Sequence, residues 1–133
     1  NTIAHSTGAA KAIGKVVPSV NGKLQGHAQR VQVPDGSVTE LTTVLNTETT
    51  ADEINEAFKA AFSDTDYYGY NDEGIVSSDI LGDTHGGVFD PTQTDVNTID
   101  GVTLARTVSF YDNEYGFTSN MIRTLLYFAE ISE

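Results

Sequence analysis

The spacing of apolar side chains predicts a well-defined helix over residues 51–62. Thr50 and Glu53 lie at its start in the arrangement of a capping box, in which each side chain accepts a hydrogen bond from the backbone N–H of the other residue. The apolar positions recur at i, i+3, i+4, i+7 and i+8, as Ile54, Ala57, Phe58, Ala61 and Phe62. This helix should therefore pack one face on a core.

Two further helices are predicted, one near each end of the chain. A short one begins after a cap at Ser6 or Thr7 and ends at Pro18, which cannot continue a helix. Its apolar stripe is Ala9, Ala10, Ile13, Val16 and Val17. The other covers about 118–131, and its expected buried face is Met121, Ile122, Leu125, Phe128 and Ala129.

The remaining apolar runs predict strands. Residues 22–33 and 38–45 flank the turn signal Pro34-Asp35-Gly36 and are expected to be neighbouring antiparallel strands. Residues 75–81 and 84–89 are predicted as short strands. Asp100-Gly101 between 94–99 and 102–110 indicates a hairpin, because its type I′ turn needs positive φ at both central positions.

Strands joined by turns, rather than alternating with helices, favour an α+β fold. We expect a largely antiparallel or mixed sheet with helices packed on one face, plus the C-terminal helix. The chain has 133 residues, of which 38% are apolar, which is sufficient for one core.

Charge and composition exclude several classes of function. Nineteen acidic and seven basic residues give a net charge of −12, which repels nucleic acids and anionic lipid. No apolar run reaches the ~20 residues that span a bilayer. There is no cysteine, hence no disulfide, thiolate metal ligand or cysteine nucleophile in this chain. Since the first residue is Asn, we expect a piece of a larger, cytoplasmic protein.

The first helix start is a candidate anion site. Thr7 and Gly8 are small residues at a helix N-terminus, where free N–H groups and the helix dipole attract anions. From spacing alone an ordinary N-cap is the favoured interpretation. Arg30, in the middle of a predicted strand, offers a guanidinium that can hold a phosphate in bidentate fashion, although a solvated arginine is the simpler explanation.

Other polar residues carry less signal. His5, His27 and His85 have no metal-like spacing, and no metal site is predicted. We expect His85 to be a partly buried strand residue. The run from Ser109 to Gly116 ends a strand and enters a helix, where a side-chain amide can point into a cleft.

Several stretches together resemble the phosphorylating glyceraldehyde-3-phosphate dehydrogenase family. They are Ser6-Thr7-Gly8-Ala9-Ala10-Lys11-Ala12-Ile13-Gly14-Lys15, Val17-Pro18, Asn21-Gly22-Lys23-Leu24, Arg30-Val31, Ser37-Val38-Thr39-Glu40-Leu41, Val76-Ser77-Ser78-Asp79, Gly82-Asp83-Thr84 and Tyr111-Asp112-Asn113-Glu114. The resemblance is collinear over essentially the whole chain. It implies that residues 1–133 are the C-terminal portion of the family's catalytic domain, without the NAD-binding domain or the catalytic Cys/His segment.

The resemblance also implies roles for individual residues. Thr7 and Gly8 match positions that bind the attacking inorganic phosphate, and Arg30 matches the arginine shared between two phosphate sites. Asn113 matches the asparagine that holds the nicotinamide carboxamide of NAD, with Tyr111 beside it. No catalytic residue is expected in this chain, since the family's cysteine and histidine lie upstream.

The implied parent is a homo-tetrameric, cytoplasmic glycolytic enzyme that uses NAD, glyceraldehyde 3-phosphate and inorganic phosphate. The chain by itself is expected to be inactive and to bind NAD poorly. Two alternatives stay open: a parent that oxidises erythrose 4-phosphate, with which Phe117 is compatible because it replaces a frequent tyrosine, and a non-catalytic interaction module.

Overall fold

The computed structural model describes residues 1–132 and divides them into two compact units. One comprises Asn1–Pro34 and the other begins at Asp35. Three helices, a two-stranded antiparallel sheet and a mixed five-stranded sheet make up the regular structure of this part of the chain. The predicted α+β class, including its C-terminal helix, is confirmed.

The first unit is a small strand–helix–strand arrangement. It contains β1 (Ile3–Ser6), α1 (Ala9–Val16), a single 3₁₀ turn at Pro18–Val20 and β2 (His27–Arg30). β1 and β2 pair antiparallel, with Ile3 opposite Arg30 and Ser6 opposite His27. α1 connects the two strands and ends before Pro18, as predicted.

Two predictions for this unit were wrong. The strand expected over 22–33 shortens to β2, because Gly22 has a positive φ of 75° and lies in a turn. Its partner is β1, which was not predicted, and not the strand at 38–45. Sequence proximity favoured the wrong pair, since β2 pairs with β1 and β3 pairs with β7.

The second unit is built around one long central strand. Its elements in chain order are β3 (Ser37–Leu45), α2 (Ala51–Phe62), β4 (Gly69–Tyr70), β5 (Val88–Phe89), a 3₁₀ turn (Pro91–Gln93), β6 (Asp95–Ile99), β7 (Val102–Tyr111) and α3 (Tyr115–Glu130). β7 pairs with β3 along its full length, and β6 and β5 share its other edge. These pairs are antiparallel, whereas β4 runs parallel to β5.

The predicted hairpin between β6 and β7 is confirmed. Asp100 has φ 51° and Gly101 has φ 78°, as the type I′ turn requires. Asp100 is the one non-glycine residue with positive φ among residues 1–132, and Asp tolerates that conformation better than most residues.

α2 covers one face of this sheet. The Phe58 ring stacks on Phe89 with centroids 4.1 Å apart, and Phe89 is only 1% exposed. The capping box is present: Thr50 Oγ1 accepts from the Glu53 N–H, and Glu53 Oε2 accepts from the Thr50 N–H. The helix start and end therefore match the sequence-based expectation. Of the predicted packing face, Ile54, Phe58 and Phe62 are half-buried, whereas Ala57 and Ala61 are exposed.

The strand predicted over 75–81 is absent. This stretch forms turns, in which the Asp79 N–H donates to the Val76 carbonyl and Asp79 Oδ2 accepts from the Val76 N–H. Such local hydrogen bonds replace a strand ladder. Ile80 is nevertheless buried, so the apolar pattern correctly indicated a core residue although it did not indicate a strand. Of the strand expected over 84–89, only β5 forms.

The predicted buried face of α3 was also wrong. Met121, Ile122, Leu125 and Phe128 are between 47% and 60% exposed, and Ala129 is exposed as well. α3 begins at Tyr115, three residues earlier than expected, and contacts the preceding loop through Arg123 Nη1, which donates to the Thr84 carbonyl at 2.8 Å. The apolar spacing is real, but no element within residues 1–132 covers it.

A bilayer-spanning segment is not found among the helices of residues 1–132, since none is long and apolar enough.

Candidate functional site

Thr7 and Gly8 lie together where β1 ends and α1 begins. Gly8, with φ −87° and ψ −6°, is the N-cap residue, and its carbonyl accepts the first helical hydrogen bond from the Ala12 N–H at 3.0 Å. The cap expected at Ser6 or Thr7 was therefore placed one or two residues too early. Thr7 contributes differently, because its Oγ1 accepts from the Ala9 N–H at 3.2 Å.

The space beside this helix start is open. A Cβ added to Gly8 would have no heavy atom within 4 Å, and the N–H groups of the first helical turn lack acceptors within the helix. On the other side, Gly26 brings β2 close to Thr7: a Cβ on Gly26 would lie 3.5 Å from Thr7 Cγ2. Sequence reasoning missed this role of Gly26. The result is a helix N-terminus that can accept an anion.

Arg30 is placed in the same unit but not beside Thr7. It is the last residue of β2 and pairs with Ile3, whereas Thr7 follows Ser6, which pairs with His27. Thr7 lies four residues beyond Ile3 along the chain, a distance of about 13 Å for an extended strand. The Arg30 side chain is exposed, and no hydrogen bond or ion pair to it is formed within residues 1–132. It is an exposed cation at the far end of the β1–β2 pair.

Tyr111 and Asn113 lie in the second unit, where β7 leads into α3. Tyr111 is half-buried and is the last residue of β7, directly opposite Ser37 in the ladder. Asn113 is exposed, and its Oδ1 accepts a hydrogen bond from Ser37 Oγ at 2.7 Å. The side-chain amide predicted at this corner is thus present and is held from β3.

Asp112, between these two residues, organises the corner. It is 2% exposed and accepts three backbone hydrogen bonds, from Gly82 to Oδ2 and from Glu114 and Tyr115 to Oδ1. Those from Gly82 and Tyr115 are the main reason that its pKa is lowered. Asp112 was not singled out from the sequence, although an aspartate two and three residues before the N–H groups of a helix start is a known capping signal.

Three carboxylates meet at this corner. Oxygen atoms of Asp35, Asp112 and Glu114 lie within 4.8 Å of one another. Desolvation first, and then the charge of Asp35 and of Asp112, raises the pKa of Glu114. Sequence reasoning missed this cluster, because Asp35 is more than seventy residues away along the chain.

The histidines take no part in these two groups of residues. His85 is half-buried as expected, but it lies in a loop and not in a strand, with Nδ1 2.7 Å from Asp83 Oδ1. The strand predicted over 84–89 starts only at Val88, so His85 precedes it. His5 and His27 are exposed residues of β1 and β2.

The family model described as glyceraldehyde 3-phosphate dehydrogenase, C-terminal domain, matches residues 1–113. A glyceraldehyde-3-phosphate dehydrogenase of Lactobacillus delbrueckii subsp. bulgaricus is 57% identical over 131 residues, covering 98% of this chain and 38% of the relative. One of Streptococcus pyogenes is 54% identical over 133 residues, covering 100% of this chain and 39% of the relative.

This chain thus spans about two-fifths of the length of these curated relatives. The match to the family model extends over most of the chain, from β1 through the corner that contains Tyr111 and Asn113. The chain belongs to the glyceraldehyde 3-phosphate dehydrogenase C-terminal domain family.

Proposed function

We propose that this chain is the C-terminal portion of the catalytic domain of an NAD-dependent, phosphorylating glyceraldehyde-3-phosphate dehydrogenase. The observation that carries the proposal is 54–57% identity to proteins named glyceraldehyde-3-phosphate dehydrogenase over at least 98% of the chain. The NAD-binding domain and the segment with the catalytic cysteine and histidine belong upstream. The absence of cysteine from these 133 residues and the two-fifths coverage of the relatives support this division.

In this proposal Thr7, Gly8 and Arg30 hold the attacking inorganic phosphate. Thr7 Oγ1 already accepts from the Ala9 N–H, so its own proton is available to a phosphate oxygen. Gly8 leaves the helix N-terminus uncovered. Arg30 supplies the positive charge against a net charge of −12 and has a long, exposed side chain with which to reach the anion.

Asn113 and Tyr111 are proposed to contact the nicotinamide end of NAD. The donor set fits this group: Asn113 is exposed and presents a primary amide, which pairs well with another primary amide. Asp112 holds the backbone that follows Asn113 by accepting from the Glu114 and Tyr115 N–H groups, and it connects this corner to Gly82 through a third hydrogen bond. When bound, NAD would supply the hydride acceptor.

The reaction then divides between this chain and the upstream part. An upstream cysteine thiolate would add to the aldehyde carbon, and NAD, when bound, would supply the hydride acceptor that lets this carbon reach the oxidation level of a thioester. Phosphate held by Thr7, Gly8 and Arg30 attacks the thioester carbon, forming the acyl phosphate and releasing the thiolate. This chain therefore binds and orients the second nucleophile and provides neither the first nucleophile nor its base.

The exposed apolar face of α3 supports a larger parent. Leu125, Leu126 and Phe128 are each more than half exposed, and contiguous apolar surface of this kind marks an interface. We propose that the rest of the polypeptide, and neighbouring subunits of a homo-tetramer, cover such surfaces in a cytoplasmic enzyme. The alternative of a non-catalytic interaction module uses the same observation, so activity has to separate the two.

The first experiment compares the isolated chain with the full-length protein that carries it. Both are assayed for NADH formation from glyceraldehyde 3-phosphate, NAD and phosphate, and with erythrose 4-phosphate as a second substrate. We expect turnover of the triose phosphate by the full-length protein and none by the isolated chain. NADH production by the chain alone, or no turnover by the full-length protein, would contradict the proposal; preference for the tetrose would change the substrate.

The second experiment tests the phosphate-binding residues in the full-length protein. Arg30→Gln and Thr7→Val each remove a hydrogen bond to an anion, worth about 1.5–3 kcal/mol, so kcat/KM for phosphate should fall roughly 10- to 150-fold. Lys15→Gln, which removes a cation from the last turn of α1, is the matched control and should change it little. Equal effects of Arg30→Gln and Lys15→Gln would indicate a general charge effect and not a phosphate site.

A further inference from the structure

Asn21 and Gly22 lie between the 3₁₀ turn of the first unit and the segment that leads into β2. Both residues are exposed, and within residues 1–132 no hydrogen bond is formed to the side-chain amide of Asn21. Of the eight asparagines in this chain, Asn21 is the one that a glycine follows. Glycine has no side chain to shield its backbone nitrogen, and a Cβ built on Gly22 would meet no heavy atom within 4 Å. The Gly22 nitrogen is therefore open to reagents and to water.

The pair is held in a type II turn. Asn21 has φ −60° and ψ 126°, and Gly22 has φ 75°, as the two central positions of this turn require. The Lys23 N–H donates to the Val20 carbonyl at 3.0 Å and closes the turn. A bond from the Gly22 nitrogen to Asn21 Cγ would close a five-membered ring, which needs this nitrogen and Cβ on the same side of the Cα–C bond. At ψ 126° the nitrogen is turned away from the side chain, so the closed turn keeps the two groups apart.

The turn packs on the last turn of α1. A Cβ built on Gly14 would lie 2.8 Å from Asn21 Oδ1 and 3.1 Å from Asn21 Cα, so the absence of a side chain at Gly14 makes room for Asn21. Gly14 is a buried residue of α1. The Asn21 N–H also donates to the Pro18 carbonyl at 3.1 Å. These contacts hold Asn21 in place and thereby keep the turn closed.

We propose that Asn21 is a site of spontaneous deamidation and that the type II turn controls its rate. When the turn opens, rotation about the Cα–C bond of Asn21 brings the Gly22 nitrogen to Cγ. This nitrogen gives its proton to hydroxide and attacks Cγ, which forms the new C–N bond of a succinimide. The side-chain nitrogen leaves and takes a proton from water to become ammonia. Water then adds to one of the two ring carbonyls and breaks its bond to the ring nitrogen, giving aspartate or isoaspartate.

Either product disturbs the contact with α1. A carboxylate replaces a neutral amide beside the last turn of the helix, where unpaired carbonyl groups and the helix dipole already carry partial negative charge. Isoaspartate also brings Cβ into the main chain, which lengthens the turn between Val20 and Lys23. Both changes oppose the packing of Asn21 on Gly14. Deamidation therefore destabilises the unit Asn1–Pro34, which contains α1 and β2.

The test follows this chemistry in the full-length protein that carries the chain, kept folded at mildly alkaline pH. Trypsin releases residues 16–23 as one peptide, in which Asn21 has the only side-chain amide. We expect this peptide to gain the mass that accompanies replacement of NH₂ by OH, to separate into two isomers, and to show a minor form that has lost ammonia. Asn46, an exposed asparagine that follows β3 and precedes Thr47, is the matched control and should stay unchanged.

Control by the turn is measured against a synthetic peptide of residues 16–26, which lacks α1. The folded protein should react at least roughly 2- to 13-fold more slowly than this peptide, which corresponds to one net hydrogen bond of about 0.5–1.5 kcal/mol. Gly14→Ala displaces Asn21 and should raise the rate toward that of the peptide. Lys15→Gln changes an exposed neighbour in the same turn of α1 and should leave the rate as it is. If Gly14→Ala does not fold, the rate in the unchanged protein is followed through urea unfolding, where it should rise with the unfolded fraction.

Asn21→Gln identifies the reacting residue, because its longer side chain would have to close a less favourable six-membered ring, and residues 16–23 should then keep their mass. A mass gain that persists in this variant, or a gain at Asn21 no faster than at Asn46, would overturn the deamidation site. Equal rates in the folded protein and the synthetic peptide would overturn the control by the turn. None of these measurements uses catalysis, so the proposed function is tested separately.

Discussion

Helices α2 and α3 have similar amphipathic patterns, but they differ in how far their apolar faces are buried. α2 places Phe58 on the buried Phe89, so its apolar face is covered by the sheet of its own unit. α3 is longer, and yet its apolar residues are about half exposed, and its contacts to the loop at Thr84 are polar. The same periodicity therefore identifies an apolar helix face, but it does not show whether the surface that buries this face lies within these residues.

The two helix starts differ in a parallel way. The α2 start is satisfied locally, by Thr50 and Glu53 within four residues. The α3 start has no side-chain cap from its N-cap residue, and Asp112, two residues earlier, accepts N–H groups from that start and also from Gly82. A helix N-terminus that is capped by neighbouring residues can be recognised from sequence, whereas one that also depends on distant contacts cannot.

The sharpest test of this comparison removes one aromatic ring from the contact between α2 and the sheet, and one from α3. Phe89→Ala should lower the free energy of unfolding of the chain by about 3–5 kcal/mol, because the ring is fully buried against Phe58. Phe128→Ala on α3 should change it by less than about 0.5 kcal/mol, since that ring is 56% exposed. Urea unfolding of both variants measures the difference; equal losses would contradict the description of α3 as uncovered.

The context dependence of α3 gives the next largest effect. Leu125→Ala should cost less than about 0.5 kcal/mol in the isolated chain, where Leu125 is 60% exposed. In the full-length protein the same substitution should cost about 2–5 kcal/mol if the remaining polypeptide buries this face. Urea unfolding of the chain and of the full-length protein provides the two values. The same small loss in both would show that α3 is a solvent-facing helix.

The helix starts predict a smaller difference. Thr50→Ala removes the side-chain cap of α2 and should destabilise the chain by about 1 kcal/mol. Thr118→Ala lies in the first turn of α3, where no cap depends on it, and should stay within about 0.5 kcal/mol. The shift in urea midpoint checks both, and a loss at Thr118 as large as at Thr50 would mean that capping does not distinguish the two starts.

The smallest expected effect is on the pH dependence of stability. Hydrogen bonds lower the pKa of Glu53 and of Asp112, so each contributes stability that is present above its unfolded pKa, near about 4, and is lost as pH falls through its folded pKa. Glu114 has a raised pKa, so its contribution is present below the unfolded pKa and is lost as pH rises through the folded pKa.

Urea midpoints measured across the acid range test these signs. In Asp112→Asn, stability should fall less steeply as the pH is lowered. In Glu114→Gln, stability should fall less steeply as the pH is raised through the folded-state pKa of Glu114. An unchanged slope in Asp112→Asn would show that its three backbone hydrogen bonds are not linked to its ionisation.

Several features could be predicted because they depend on a few neighbouring residues. The capping box of α2 and the Asp100-Gly101 turn are set by local hydrogen bonding and by the φ preferences of those residues. The strand at 38–45 and the hairpin followed from β-type side chains next to clear turn signals. The strand expected over 75–81 is absent and the one expected over 84–89 is shortened to β5, because Asp79 and Asp83 offer the backbone closer partners than another strand.

The candidate residues divide in the same way. Thr7 and Gly8 are adjacent in the chain, so their shared position at a helix start was predictable, although the cap itself moved to Gly8. Arg30 was expected near them, and the β1–β2 register places it opposite Ile3, four residues before Thr7, a separation that the sequence alone does not reveal. Ser37 gave no signal of its own, because its contact with Asn113 exists only once β3 and β7 have paired.

The sequence by itself determined the family, the α+β class, the best-capped helix and the main hairpin. These follow from motifs and from interactions that span a few residues. Only the tertiary structure decided the pairing of β1 with β2, the burial of Asp112 and the exposure of the α3 face. The physical reason is that burial and strand pairing depend on which distant surfaces are available, and the residues of a single segment do not contain that information.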